Sequence, residues 1–352
     1  MINVAGAGWS GAVVARRLAH AGHQVTVYDT RSHVGGNCYT ERRHGINVHV
    51  YGPHIFHTSN ERVWRWVNKF GVWEPYRLKV MSTARGGVYS LPVNLHTINQ
   101  VFGTCETPKG ARRLLDVSWD GMSFEKTAIA SVGETIYRLL FEGYTAKQWG
   151  CEPADLPGSV FKRLPVRFSY DDNYFEHRHQ AIPRDGYTPV FERILDHPNI
   201  TVRLNEACPR GGAHTFWSGA LDAYFGADEG QLNYRTLRFQ HIESSGDWQG
   251  VALMNYPDRD VPWTRSTEHK HLAPWESHDR TIVTREVPDV CGPGDIPFYP
   301  LHDQPMLHAG YLERAQQEPN VTFLGRLGTY RYLDMDVCIA EAIEAADRYL
   351  AA

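Results

Sequence analysis

No stretch of this sequence approaches the roughly eighteen consecutive apolar residues that a membrane-crossing helix requires, so the expectation is a soluble protein without membrane partners. No basic segment, apolar core and small-residue cleavage site precede the first strand-like run, Ile2-Asn3-Val4-Ala5, and a cytoplasmic location is expected. The six cysteines, Cys38, Cys105, Cys151, Cys208, Cys291 and Cys338, are scattered with no C-x-x-C pair. That pattern indicates neither a disulfide framework nor a cysteine zinc site. Dense Lys/Arg runs are missing and the formal charge is −4, which argues against nucleic acid, whose phosphates demand a basic face. An anionic ligand has to be met by individual arginines. Internal repeats, low-complexity segments and long linkers are also lacking.

What is present is an ordinary globular composition, 42% hydrophobic and 22% charged over 352 residues. That length can bury a large core and predicts two or three structural units. The first thirty or so residues read as a βαβ start: an apolar strand, a glycine turn, helical spacing through Val13, Val14, Leu18 and Ala21, and a second strand over Gln24–Tyr28. Thr107 to Trp149 turns helical, with Ile129, Val132, Ile136, Leu139 and Leu140 at three-to-four spacing. From Leu164 to Val261, short β-rich runs at Val166–Tyr170, Ile200–Leu204 and Thr236–Phe239 alternate with turn residues and predict an antiparallel sheet. A strand at Val321–Leu324 and an amphipathic helix over Val337–Leu350 return to the style of the opening.

Gly6-Ala7-Gly8-Trp9-Ser10-Gly11 fits G-x-G-x-x-G between a strand and a helix, where glycines let backbone N–H groups approach a pyrophosphate. The hexapeptide is weak by itself, and a glycine turn in an unrelated α/β fold is the bland alternative. Asp29 strengthens it, closing the second strand about twenty residues on, where a carboxylate accepts from ribose hydroxyls. Arg31, Gly36 and Asn37 follow, as in many proteins that hold FAD around its diphosphate and ribityl chain.

Further motifs lie along nearly the whole chain: Val48–Thr58, Gly143–Trp149, Lys162–Phe168, Asp171–Phe175, Asp185–Thr188, Val261–Arg265, Glu268–His271, Pro297–Pro300 and Gly325–Met335. In this order they resemble the successive signatures of UDP-galactopyranose mutases. The resemblance implies an enzyme, an intramolecular mutase that interconverts the pyranose and furanose forms of a nucleoside-diphosphate hexose. UDP-galactose is the family's default substrate, and GDP- or dTDP-hexoses are open alternatives. It implies FAD in its reduced form, acting as a nucleophile on the anomeric carbon with no net redox change.

Residue by residue, the resemblance makes Arg163 and Arg265 the diphosphate arginines, suited by their planar forks to a charged leaving group. It places Tyr174, Tyr299 and Tyr332 on the same diphosphate, Tyr144 on the base, Asn255 on substrate and Trp149 on a mobile loop beside the sugar. His54, with His57, belongs to a histidine loop beside the flavin. Arg326, Asp334 and Met335 join Gly6, Gly8, Gly11, Asp29, Arg31, Gly36 and Asn37 as cofactor contacts. Taken singly, an arginine such as Arg167 is more often a structural ion pair, and most tyrosines only pack.

The sequence departs from the family at Asp29, Cys38, Val50, Pro53 and Leu324, where the family has glutamate, alanine, lysine, alanine and glycine. Pro53 removes an N–H donor and Leu324 adds bulk before the Gly325-Arg326 turn. These departures motivate a second reading, a flavin-independent mutase aided by a divalent metal at Asp334, Asp336, His302 or Asp303. A flavin oxidoreductase and a non-catalytic nucleotide-sugar binder are further alternatives. The expected fold is α/β: a discontinuous Rossmann-like FAD-type domain over 1–75, 188–225 and 315–352, a helical unit over 95–160, and an antiparallel sheet, the substrate domain, over 76–94, 161–187 and 226–314. A homodimer is the assembly this allows.

Overall fold

The computed structural model describes residues 2–115, 123–163, 165–301 and 303–352, the side chains of residues 159, 162 and 163 excepted. The chain forms two compact units: Met1–Tyr76, His177–Thr236 and Cys291–Ala352 make the first, Arg77–Glu176 and Leu237–Val290 the second. Residues 177–187, 226–236 and 291–314, read in the sequence with the sheet domain, lie in the first unit.

The first unit is built on a parallel sheet whose strands run in the order Ile200–Leu204, Val25–Asp29, Ile2–Ala5, Thr215–Trp217, Val321–Phe323. Its central strand is buried at every position, as a parallel sheet covered on both faces requires. Helix Trp9–His20 leaves the first strand through the glycine turn and shares one apolar core with the C-terminal helix Met335–Ala351. Ala12, Ala15, Ala342 and Ala346 are fully buried at that contact, and their small side chains let the two helices approach closely. Smaller sheets, a Thr40–Arg43/Ile46–His49 hairpin and a three-stranded Phe56–Thr58, His179–Pro183, Trp73–Pro75 group, complete the unit.

Two sequence expectations need correction. Ile200–Leu204 is not part of an antiparallel sheet; it pairs in parallel with Val25–Asp29 at the edge of the Rossmann sheet. Period-two alternation reports a half-buried strand and says nothing about its partner's direction. Val166–Tyr170 forms no strand. Its backbone is committed elsewhere, the Arg167 N–H donating to the Val93 carbonyl at 2.8 Å.

The second unit pairs strands Tyr234–Ser245, Arg280–Val290, Arg265–Glu268, Leu253–Asn255, Val80–Ala84 and Gly87–Leu91 in that order, the first of them entering from the other unit. The described neighbours are antiparallel except Leu253–Asn255 and Val80–Ala84, which run parallel. Helices Pro108–Leu114, Phe124–Ile136 and Glu142–Trp149 lie in this unit. A π-helical turn, Tyr137–Phe141, joins the last two, the kind of helical irregularity often found at functional positions. Among the described residues no helix is long and apolar enough to cross a membrane.

Candidate active site

In the first unit the glycine turn is shaped by close approach. Gly6 has φ +97°, and a Cβ there would stand 2.3 Å from Ser218 Oγ; a Cβ on Gly11 would stand 1.9 Å from the Gly6 carbonyl oxygen. Neither position admits a side chain, so strand and helix are drawn together with Gly8 at the helix N-cap. Asp29 binds back to this turn, Oδ2 accepting from the Ala7 N–H at 2.8 Å and Oδ1 from the Arg31 N–H at 2.9 Å. The shorter carboxylate thus stiffens the turn while retaining lone pairs on both oxygens.

Arg31 lies over the Tyr51 ring at 4.8 Å and donates from Nη2 to Asn37 Oδ1 at 2.9 Å. Its Nη1 is buried with no hydrogen-bond partner. Gly36 and Asn37 form a 3₁₀ turn with Cys38. Burial pushes the Cys38 thiol up to about 12; it packs 3.6 Å from the Met335 sulfur and is no nucleophile. Arg326 donates to the carbonyls of Leu333 at 2.6 Å and Phe298 at 3.3 Å, and its guanidinium lies 4.6 Å over the Tyr332 ring. Tyr332 and Tyr299 meet edge to face at 6.0 Å. Tyr299 is buried in the short strand Tyr299–Pro300, which pairs antiparallel with Tyr234–Ser245, whereas Tyr332 is exposed. Asp334 stands at the N-cap position of the C-terminal helix, its side chain making no capping bond.

The departures from the family pattern are absorbed locally. Leu324 is 3% exposed and belongs to the core beneath the sheet. At Pro53 the backbone is carried by its neighbours: the His54 N–H donates to His49 Nδ1 at 3.1 Å and His54 Nδ1 bonds the Gly52 carbonyl at 2.8 Å. A carbonyl only accepts, so His54 carries its proton on Nδ1. His57 pairs with His177 through their Nδ1 atoms at 3.0 Å. Burial lowers the His57 pKa and His177 adds to this, while Asp334 and Asp336 oppose it.

In the second unit, the Leu253–Asn255 and Arg265–Glu268 strands put Asn255 directly across from Arg265. Arg265 donates from Nη2 to Glu286 Oε2 at 2.7 Å, and Glu286, its cross-strand partner on the other side, is 2% exposed. A buried carboxylate therefore tethers one arm of the guanidinium. The sequence reading missed Glu286, which carries no motif of its own; only strand register reveals it.

Tyr144 and Trp149 sit on helix Glu142–Trp149, which Gly150 ends at φ 72°. Lys147, on the same helix, donates to the carbonyls of Tyr256, Asp258, Val261 and Trp263 at 2.6, 2.8, 2.8 and 3.1 Å. Burial pushes its pKa down to about 8, and the Asp258 and Asp260 carboxylates oppose that. Tyr174 is anchored by its N–H on the Leu78 carbonyl at 3.1 Å. Arg167 is structural here, its guanidinium donating to the Asn173 carbonyl and pairing with Asp171 at 3.1 Å. The Arg163 side chain lies outside the described residues.

The family model described as UDP-galactopyranose mutase matches residues 139–332, and a model of an NAD(P)-binding Rossmann-like domain matches residues 4–70. A dTDP-fucopyranose mutase of Escherichia coli is 49% identical, the alignment covering 99% of this chain and 97% of the relative. The chain belongs to the UDP-galactopyranose mutase family. A probable UDP-galactopyranose mutase of Klebsiella pneumoniae is likewise 49% identical, over 99% of this chain and 94% of that one. The fold agrees with a crystal structure of reduced UDP-galactopyranose mutase at a TM-score of 0.77, with 17% identity over 99% of this chain and 95% of that chain. Membership makes the protein an isomerase with a Rossmann dinucleotide-binding domain. The metal-ligand candidates Asp303, Asp334 and Asp336 form no cluster of three or more possible ligands among the described residues, and His302 lies outside them.

Proposed function

We propose that this mutase interconverts the pyranose and furanose forms of a nucleoside-diphosphate hexose by breaking and re-forming the anomeric C–O bond, with FAD as its dinucleotide. The relatives' names point to UDP-galactose or a dTDP-6-deoxyhexose; a GDP-hexose is the further alternative. One observation supports the reading most: Arg265 is tethered through Nη2 to the buried Glu286 carboxylate, with Asn255 directly across from it in register.

Charge develops on the departing diphosphate oxygen, and a guanidinium fixed in advance stabilises it without reorganising during the reaction. Arg163 is assigned as the second arginine. Tyr174, Tyr299 and Tyr332 donate phenolic hydrogen bonds to the same diphosphate, Tyr144 stacks on the base, and Trp149 closes over the sugar. His54, with its proton on Nδ1, is assigned to the histidine loop beside the cofactor ring.

The cradle fits FAD. The orphaned Arg31 Nη1 has the charge to meet a diphosphate, Gly6 and Gly11 shape the turn that carries the chain into Gly8 at the N-terminus of helix Trp9–His20, and Asp29 keeps acceptor capacity for a ribose. Gly36, Asn37, Arg326, Asp334 and Met335 are the remaining contacts assigned to it. Bound reduced FAD would supply the nucleophile at the anomeric carbon.

The test is the absorbance spectrum of purified protein with added FAD, followed by turnover of UDP-, GDP- and dTDP-hexoses after dithionite reduction, read by product chromatography. Bound flavin and dithionite-dependent turnover are expected. Turnover without flavin that is lost to a chelator would overturn the cofactor assignment in favour of a metal.

A further inference from the structure

We propose that Lys147 is a positioning residue for this reaction: its ammonium serves as an internal cation that folds the 256–263 loop and thereby sets Asn255 and Arg265. The inference rests on the reading of Arg265 as a diphosphate ligand. Lys147 takes no part in that reading, since its nitrogen is turned to main-chain oxygens.

Four carbonyl oxygens from one eight-residue stretch lie within 3.1 Å of Nζ. An ammonium has three N–H donors, so one is shared, and the dipoles would repel one another without the positive charge among them. This stretch joins the two strands that carry Asn255 and Arg265, which stand opposite each other at its stem. Closure at the stem is completed by the Tyr256 N–H on the Thr264 carbonyl at 2.8 Å.

Three more contacts make the loop a built feature. A Cβ on Gly143 would stand 2.2 Å from the Pro257 carbonyl oxygen, so only glycine lets the helix come this close. Arg259 forms a two-armed pair with Glu152 at 2.8 and 2.9 Å, just past the end of the same helix. Thr264 Oγ1 donates to Gln148 Oε1 at 3.2 Å. Tyr144 and Trp149 lie three residues before and two after Lys147, so one lysine joins the helix of two assigned substrate contacts to the loop behind two others.

The experiment uses the full chain in four forms: parent, Lys147→Met, Arg265→Ala and the double variant. Amide hydrogen exchange of residues 256–264 should accelerate about a hundredfold in Lys147→Met, the size expected when charge-assisted bonds to the backbone are lost, while exchange in 2–29 stays as in the parent. The same substitution should lower kcat/KM about a hundredfold in the parent, as expected for a ligand displaced by about an ångström. In the Arg265→Ala background it should lower it less than about threefold, because coupled residues are not additive. Unchanged loop exchange, or an equal loss in both backgrounds, would overturn the proposal. If Arg265→Ala turns over like the parent, the diphosphate reading fails instead, and loop exchange alone decides what Lys147 holds. Should Lys147→Met not fold, Lys147→Arg keeps the charge on a planar group that cannot reach four carbonyls at once; parent-like loop exchange there would equally overturn it.

Discussion

The two units prepare for ligands by different means. In the first, the cradle is main chain: Gly6 and Gly11 shape a turn that admits no side chain, and Asp29 returns to that turn through bonds to Ala7 and Arg31. In the second, the assigned contacts are side chains whose placement depends on partners far along the chain, Arg265 on Glu286 and the 256–263 loop on Lys147. A site made of backbone is specified by a few neighbouring residues. A site made of oriented side chains is specified by whatever packs behind them.

The largest effect that tests this contrast is expected from Arg265→Ala. Turnover should fall by about 10³-fold, the cost of removing a preorganised donor at a developing oxyanion, with flavin bound as in the parent and denaturant stability down by about 2–3 kcal/mol, because the buried Glu286 carboxylate loses its partner. Arg163→Ala is expected to match it. Product chromatography measures the loss, and near-normal rates in both would remove the diphosphate clamp.

Next in size is Gly11→Ala against Gly143→Ala. A Cβ at position 11 meets a backbone oxygen at 1.9 Å and one at 143 meets another at 2.2 Å. The first should abolish flavin absorbance in purified protein. The second should leave flavin bound and weaken nucleotide-sugar binding, measured by calorimetry, at a stability cost of about 1–3 kcal/mol. Loss of both ligands in both variants would erase the distinction between the units.

Glu286→Gln keeps the shape and removes the charge that orients Arg265. A loss of about 2 kcal/mol in denaturant stability is expected for breaking this partly buried pair, with kcat/KM down about tenfold. A variant with parent-like kinetics would show that Arg265 needs no buried partner.

The smallest effect concerns pH and belongs to the first unit. His33, His57 and His214 all have pKa values lowered chiefly by burial. The unfolded chain then binds protons more readily than the folded one, so stability is full above the ordinary histidine value of about 6.5 and falls as pH drops through it. Hydrogen exchange at pH 7.5 and 5.5 should show the parallel sheet losing protection on acidification. Replacing His57 with Asn should flatten part of that slope, and an unchanged slope would assign it to the other histidines.

Much of the first unit was legible because its signals are local. The strand, glycine turn, helix and Asp29 follow one another within thirty residues, and the C-terminal strand and helix read the same way. Leu324 misled for a related reason. Its position before the Gly325-Arg326 turn suggested obstruction of the cradle, whereas its side chain enters the core. Ile200–Leu204 shows the limit of period-two patterns, which give burial but not pairing direction.

The sequence by itself determined the family, through ordered motifs over nearly its whole length, and the dinucleotide cradle, because turn and strand chemistry act between neighbours. Tertiary structure alone decided that Glu286 backs Arg265, that four carbonyls close on Lys147, and that Leu324 and Cys38 face inward. Those facts depend on strand register and loop closure between residues up to more than a hundred positions apart, and nothing in a linear pattern encodes which distant groups share a charge.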